Sequence, residues 1–182
     1  MFDLGPATAQ MARLVGGVQD DQVGRPTPCN DWTVGELLAH IHQFTSVFTD
    51  NARKNPIRPP DGLADDWRAV IPAALDDLAA AWRDPNAWEG LVSAGGVEMT
   101  AQDNAIVAIE ELTVHAWDLA RATDQTFDVT DATLDRIEQF FVLFSPDAAS
   151  GEGPFGPVAS TPDGAGRLDR VLARTGRDPR WT

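Results

Sequence analysis

Apolar residues recur at intervals of three and four along most of the chain, a spacing that predicts helices rather than strands. Met11, Leu14, Val15 and Val18 mark a first helix over residues 7–23. Leu37, Ile41, Phe44 and Phe48 mark a second, running from Thr33 to about residue 54. A third is expected over about 64–83, with Pro72 as a kink or a late start. A fourth covers about 101–123, and a fifth, about 131–145, carries Leu134, Ile137, Phe140, Phe141 and Phe144. "RLDRVLARTG" closes the chain as a short last helix.

The breaks between these segments have local causes. "GRPTPCNDW" (24–32) is rich in turn formers, and "NPIRPPDG" (55–62) holds three prolines, which remove donors and fix the backbone. Thr33 and Glu36 stand in capping-box spacing, worth about 1 kcal/mol to the second helix. "WEGLVSAGGVEMT" (88–100) breaks the helical pattern and reads as a short hairpin turning at Gly95-Gly96. Residues 146–166, rich in proline and glycine, form a long loop. The expected fold is all-α: one domain over 1–182, a helical bundle with a short irregular or hairpin segment and a C-terminal extension.

Composition narrows the partners. The 182 residues carry a formal net charge of -14, with 43% hydrophobic and 23% charged residues. Such a chain repels phosphate backbones and anionic membrane surfaces, so neither nucleic acid nor a membrane is an expected partner. No apolar run approaches the roughly 20 residues of a membrane helix, and the first twenty residues lack the pattern of a secretion signal. A cytoplasmic protein is expected. The single cysteine, Cys29, forms no disulfide within the chain and excludes an all-cysteine zinc site.

The candidate chemistry lies in "EELTVHAWDLARAT" (110–123). On a helix, Glu111 and His115 are about 40° apart and reach toward one point, the spacing by which two helix residues grip one metal ion. Asn104 and Asp118 share their face. On the second helix, His40 stands at the edge of the apolar face and His42 points away from it. Two imidazoles and a carboxylate would leave a coordination position open, as in sites that bind water or substrate. A solvated Glu–His pair, or a proton-sharing polar cluster without metal, satisfies the same spacing.

Other residues read more plainly. Asp118 either orients a ligand or pairs with Arg121 or Arg53, and Asn104 is a pocket-lining candidate. Cys29 reads as an inert thiol or loop residue, His42 as a surface histidine, and Trp32 and Trp117 as core. "GEGPFG" (151–156) matches a dinucleotide string letter for letter, yet it contains Pro154 and opens no helix, so no nucleotide site is expected there.

"TPCNDWTVGELLAHI", "EELTVHAWDLARATDQ" and "GPFGP…LDRVLARTGRDPRW" together resemble the actinobacterial branch of the DinB-like superfamily. That branch is similar to the N-terminal domain of mycothiol-dependent maleylpyruvate isomerase. The resemblance implies an up-down-down-up four-helix bundle and a divalent metal, often zinc or nickel, near one end. It places the ligands on His40, Glu111 and His115. It also implies mycothiol or another low-molecular-weight thiol as cofactor and a small-molecule substrate. The isomerase has a further C-terminal domain for which this chain has no room, so activity on maleylpyruvate itself is not implied. The first functional expectation is a metal-dependent thiol transferase or isomerase acting on a small electrophile. The alternative is a non-catalytic metal or small-ligand binding or sensing protein, with a possible homodimer through exposed helix faces.

Overall fold

The computed structural model of the chain describes residues 1–29, 31–144, 155 and 157–182. Its elements are α1 (Gly5–Gly17), α2 (Val34–Arg53), α3 (Trp67–Ala81), β1 (Leu91–Ala94), β2 (Val97–Thr100), α4 (Ala101–Ala122), α5 (Asp131–Phe144) and α6 (Arg167–Arg174). Helices α1 and α2 each pack against both α3 and α4. The first four helices therefore form the expected bundle, with α1 across from α2 and α3 across from α4. Helix α5 lies on the outer side of α4 and α6 lies on α5.

Helix α1 is shorter than the apolar spacing suggests. It starts two residues early, with Pro6 in the first turn, where a missing N–H is harmless. It stops at the Gly16-Gly17 pair, whose backbone freedom disfavours continuation, and Val18 is extended (φ -67°, ψ 129°). A single 3₁₀ turn at Asp20–Gln22 follows instead of more α-helix. Met11, Leu14, Val15 and Val18 are nonetheless all buried.

The second helix begins where the capping box places it. Thr33 N–H donates to Glu36 Oε2 (2.7 Å) and Glu36 N–H donates to Thr33 Oγ1 (3.3 Å). Pro72 lies inside α3, five residues past its start at Trp67, so the helix does not begin at the proline. The hairpin turns at Gly95 (φ 57°) and Gly96 (φ 79°), two positive values that a two-residue hairpin turn requires. Thr100 then caps α4, accepting from Asp103 N–H at 3.1 Å, so the hairpin leads straight into the helix that carries the site.

Helix α4 is buried on nearly every side. One side faces the bundle, with Ala105, Ala108, Leu112, Ala116 and Leu119 in the main core. The other meets a second apolar cluster built from Ile106 with Leu134, Ile137, Phe140 and Phe141 of α5 and Val171 of α6. The site lies between these two clusters. Residues 157–166 of the expected loop carry no helix or strand, whereas 146–154 and 156 lie outside the described residues, and with them "GEGPFG" apart from Phe155. Among the described residues no helix is long and apolar enough to cross a membrane.

Candidate functional site

Helices α2 and α4 cross so that His40 of the first meets Glu111 and His115 of the second. Glu111 Oε2 lies 3.3 Å from His40 Nε2 and 3.2 Å from His115 Nε2. One ligand atom from each of the three residues falls within 4.8 Å of the others. The three expected ligands are thus brought together, across 71 residues of sequence between His40 and Glu111. Glu111 and His40 are about a quarter exposed on the cavity side, whereas the His115 side chain is only 8% exposed.

The His115 ring is fixed on every side. Trp32 stacks on it (centroids 5.9 Å, planes 17° apart), Phe44 lies nearly parallel to it (6.2 Å, 20°), and His40 meets it edge-on (4.9 Å, 78°). Its Nδ1 lies 2.9 Å from Asp118 Oδ2. Trp32 is therefore a wall of the site as well as a packing residue, and Trp117 is buried as expected.

Asp118 is fully buried and serves the histidine, not Arg121 or Arg53. Arg121 donates to the Trp181 carbonyl, and Arg53 pairs with Asp77. The cation that answers Asp118 is Arg177, whose Nη2 donates to Oδ2 (2.9 Å) and Nε to Oδ1 (3.3 Å). Arg177 reaches inward because of the way α6 ends. Gly176 takes a positive φ of 76°, its N–H donates to the Ala173 carbonyl (3.1 Å), and Arg177 N–H donates to the Leu172 carbonyl (3.0 Å). This is a Schellman cap, and it turns the residue after the glycine back against the bundle.

Asn104 does not reach the cavity. It is fully buried at the start of α4, accepting from Asn51 Nδ2 (3.3 Å) and lying 3.7 Å from Met99 Sδ. Two helical turns at about 1.5 Å per residue carry it roughly 10 Å along the axis from Glu111, which the shared face alone does not reveal. His42 is half-buried rather than superficial, and its Nδ1 is enclosed without a hydrogen-bond partner among the described residues.

The electrostatics follow from burial and these partners. Burial pushes the Glu111 carboxyl up, but hydrogen bonds with His115 and His40 outweigh it and hold the group well below the usual carboxylate range. Burial pushes His115 down, yet Asp118 and Glu111 more than reverse that and raise it to about 9. Glu110, buried beside them, is driven up by burial first and by the Glu111 charge second. Burial likewise pushes the Cys29 thiol up to about 11, although Arg177 pulls the other way.

Two imidazole nitrogens and a carboxylate oxygen converging on one point fit a divalent metal ion. Asp118 on the far nitrogen of His115 completes the usual carboxylate–histidine arrangement behind such a ligand. Cys29, His115 and Asp118 also cluster within 4.8 Å. There the Arg177 guanidinium already occupies Asp118 and lies 3.4 Å from Cys29 Sγ, so a second cation does not fit.

A cavity of about 950 Å³ opens above the cluster, lined from α2, the hairpin, α4, α5 and Phe155. Two of its charged residues, Glu110 and Arg177, are absent from the site read in the sequence. The near-complete burial of α4 was the available sign for Glu110, since an acidic side chain on such a helix has no solvent face to take. For Arg177 the sign was the helix-ending glycine of "LARTGRDPRW".

The mainly helical bundle with its small two-stranded sheet has the DinB-like fold. The chain belongs to the mycothiol maleylpyruvate isomerase N-terminal domain family, whose model matches residues 4–120. That stretch includes His40, Glu111, His115 and Asp118, whereas α5, α6 and Arg177 lie beyond it. Uncharacterized proteins from two strains of Mycobacterium tuberculosis are each 28% identical over 173 residues, covering 93% of this chain and 92% of theirs. The crystal structure of the mycothiol-dependent maleylpyruvate isomerase superposes with a TM-score of 0.63 at 20% identity, covering 81% of this chain and 69% of that one. A histidine mutant of that isomerase matches equally well at 19% identity. At such identities the likeness is one of fold.

Proposed function

We propose that His40, Glu111 and His115 hold a divalent metal ion, zinc or nickel, and that the cavity above them is where a low-molecular-weight thiol of the mycothiol type meets a small electrophile. The observation that carries this reading is the convergence of the three donor atoms within 4.8 Å at the floor of that cavity. A bound divalent ion with three protein ligands supplies Lewis acidity that favours the thiolate of a thiol at neutral pH.

The protein's own groups perform the rest. Asp118 accepts from His115 Nδ1–H, which orients the ring and turns Nε2 toward Glu111, where it would act as a donor to metal once its proton has left. Arg177 sets a cation against the buried Asp118 carboxylate. Trp32 and Phe44 clamp the imidazole and keep water off its faces. Because Arg177 comes from the end of the chain, residues 1–182 act as one unit in this reading.

Metal analysis of untagged protein beside a His115→Ala variant is the deciding experiment. We expect about one zinc or nickel per chain in the parent, near-complete loss in the variant, and thiol-dependent turnover of an electrophile panel by the parent. Equal metal in both proteins sinks the proposal. Nanomolar metal affinity without thiol binding or turnover favours the non-catalytic binding or sensing alternative, which uses the same three residues. A metal-free protein whose Glu111 shares protons with both histidines matches the 3.2 and 3.3 Å contacts as a third outcome.

A further inference from the structure

We infer that the cavity takes a neutral, largely apolar electrophile with a flat body, of the aryl α,β-unsaturated carbonyl class, and turns carboxylates away. This deepens the metal-and-thiol reading of the same site and rests on it.

The walls are aromatic from both sides. Trp32, Phe44 and Phe48 come from the bundle, and Phe140, Phe144 and Phe155 from the second cluster. Such surfaces reward apolar area and ring stacking. At about 950 Å³ the space is at the upper end of small-molecule cavities, enough for a thiol and an electrophile together.

The charges point the same way. Apart from the two site imidazoles, Arg177 is the one basic residue among the described lining residues. Its donors are committed, with Nε and Nη2 on Asp118, Nη1 on the Thr175 carbonyl at 2.8 Å, and Nη2 also beside Cys29 Sγ. His40 and His115 are engaged by Glu111, and His115 also by Asp118. The remaining charged residues at the cavity are Glu110 and Glu111. Residues 145–156 contain no Lys, Arg or His, so that stretch brings no cation of its own. In the metal reading the ion's open position would be taken by the thiol sulfur, whose charge together with that of Glu111 would cancel the ion's. A carboxylate entering the thiol-loaded cavity would then give up its water and find no free counter-charge, whichever protonation state Glu110 holds. A neutral ester or ketone gives up far less.

The test is displacement of N-phenyl-1-naphthylamine, a neutral fluorescent probe of apolar cavities, from the zinc-loaded full chain saturated with 2-mercaptoethanol, a neutral thiol that fills the ion's open position. Methyl cinnamate, cinnamate and maleate serve as competitors, the first two sharing one flat body and differing in charge. We expect saturable probe binding, with methyl cinnamate displacing the probe at least tenfold better than cinnamate, and maleate failing over the same range. A Val114→Trp variant, which fills the cavity, should weaken the probe at least tenfold. Phe144→Ala, on the half-buried wall of α5, should weaken it several-fold and serves if the first variant does not fold. Absence of probe binding, or displacement by cinnamate or maleate as good as by the ester, overturns the inference. Zinc content is read separately on the same samples. Full zinc with the wrong ligand order sinks this inference alone, whereas no zinc with the expected order sinks the metal reading and leaves the cavity's preference standing.

Discussion

Asp118 Oδ2 lies 2.9 Å from His115 Nδ1, one helical turn along α4, and both side chains are buried. A carboxylate behind an imidazole at this distance does two things. It selects which ring nitrogen keeps its proton, and it raises the basicity of the whole ring.

The first prediction concerns protons. His115 is raised from 6.5 to about 9 by Asp118 and Glu111 against the opposing effect of burial. A group raised in this way carries its proton throughout the neutral range, so zinc must displace one proton to reach Nε2. Zinc affinity should rise about tenfold per pH unit below about 9. Calorimetry between pH 6.5 and 8.5 in buffers of different ionisation enthalpy measures both the slope and the proton released. A flat profile with no proton release would falsify the coupling.

The second concerns the Asp118–Arg177 pair. Asp118→Asn keeps the shape but removes the charge behind His115, and zinc affinity should fall about 10- to 100-fold. The same change strands a buried guanidinium that is itself only 8% exposed. Breaking a buried pair from one side costs about 3–5 kcal/mol. Arg177→Met strands the carboxylate instead. The double variant should lose less stability than the two single losses added, because neither charge is then left alone. Urea denaturation of the four proteins reads the coupling, and strict additivity would refute it.

The bundle and the three-residue cluster were legible in the sequence for the same reason. Helical spacing fixes which residues share a face, so Leu37, Ile41, Phe44 and Phe48 marked the inner side of α2, with His40 at its edge. Glu111 and His115 followed from one helical turn. Axial distance was harder to read, and Asn104 was put at the cavity because it shares a face with Glu111 at the far end of two turns. Contacts made by chain reversal were also hidden. Arg177 lies 59 residues from Asp118 and arrives through a Schellman cap whose direction depends on how α6 packs on α5. The end of α1 was missed because Val18 is buried whether or not it is helical.

The third prediction concerns Cys29. Burial pushes its thiol from 9.0 up to about 11, Arg177 opposes this, and Asp118 and Glu111 add to it. A thiol raised in this way stays protonated at neutral pH, and the thiolate is the reactive form. Iodoacetamide at pH 8 should modify the folded protein at least tenfold more slowly than N-acetylcysteine, with the full rate restored in denaturant. Reaction as fast as the free thiol would show an activated cysteine at the cavity instead.

The fourth concerns the start of α2, which sets where His40 points. Thr33→Ala removes the acceptor for Glu36 N–H and the hydroxyl that itself donates to Glu36 Oε2 at 2.7 Å. Loss of such a cap costs about 1 kcal/mol. Glu36 is held below its ordinary value of 4.5 first by the Thr33 backbone N–H and then by the hydroxyl. A carboxyl lowered on folding contributes stability above its unfolded pKa and loses it as pH falls through the folded value. The gap between parent and Thr33→Ala, measured by denaturant midpoints, should therefore be widest at neutral pH and narrow in acid. A gap that stays the same on acidification would mean that the hydroxyl works without the carboxylate, and the cap at the head of the His40 helix would then be Thr33 alone.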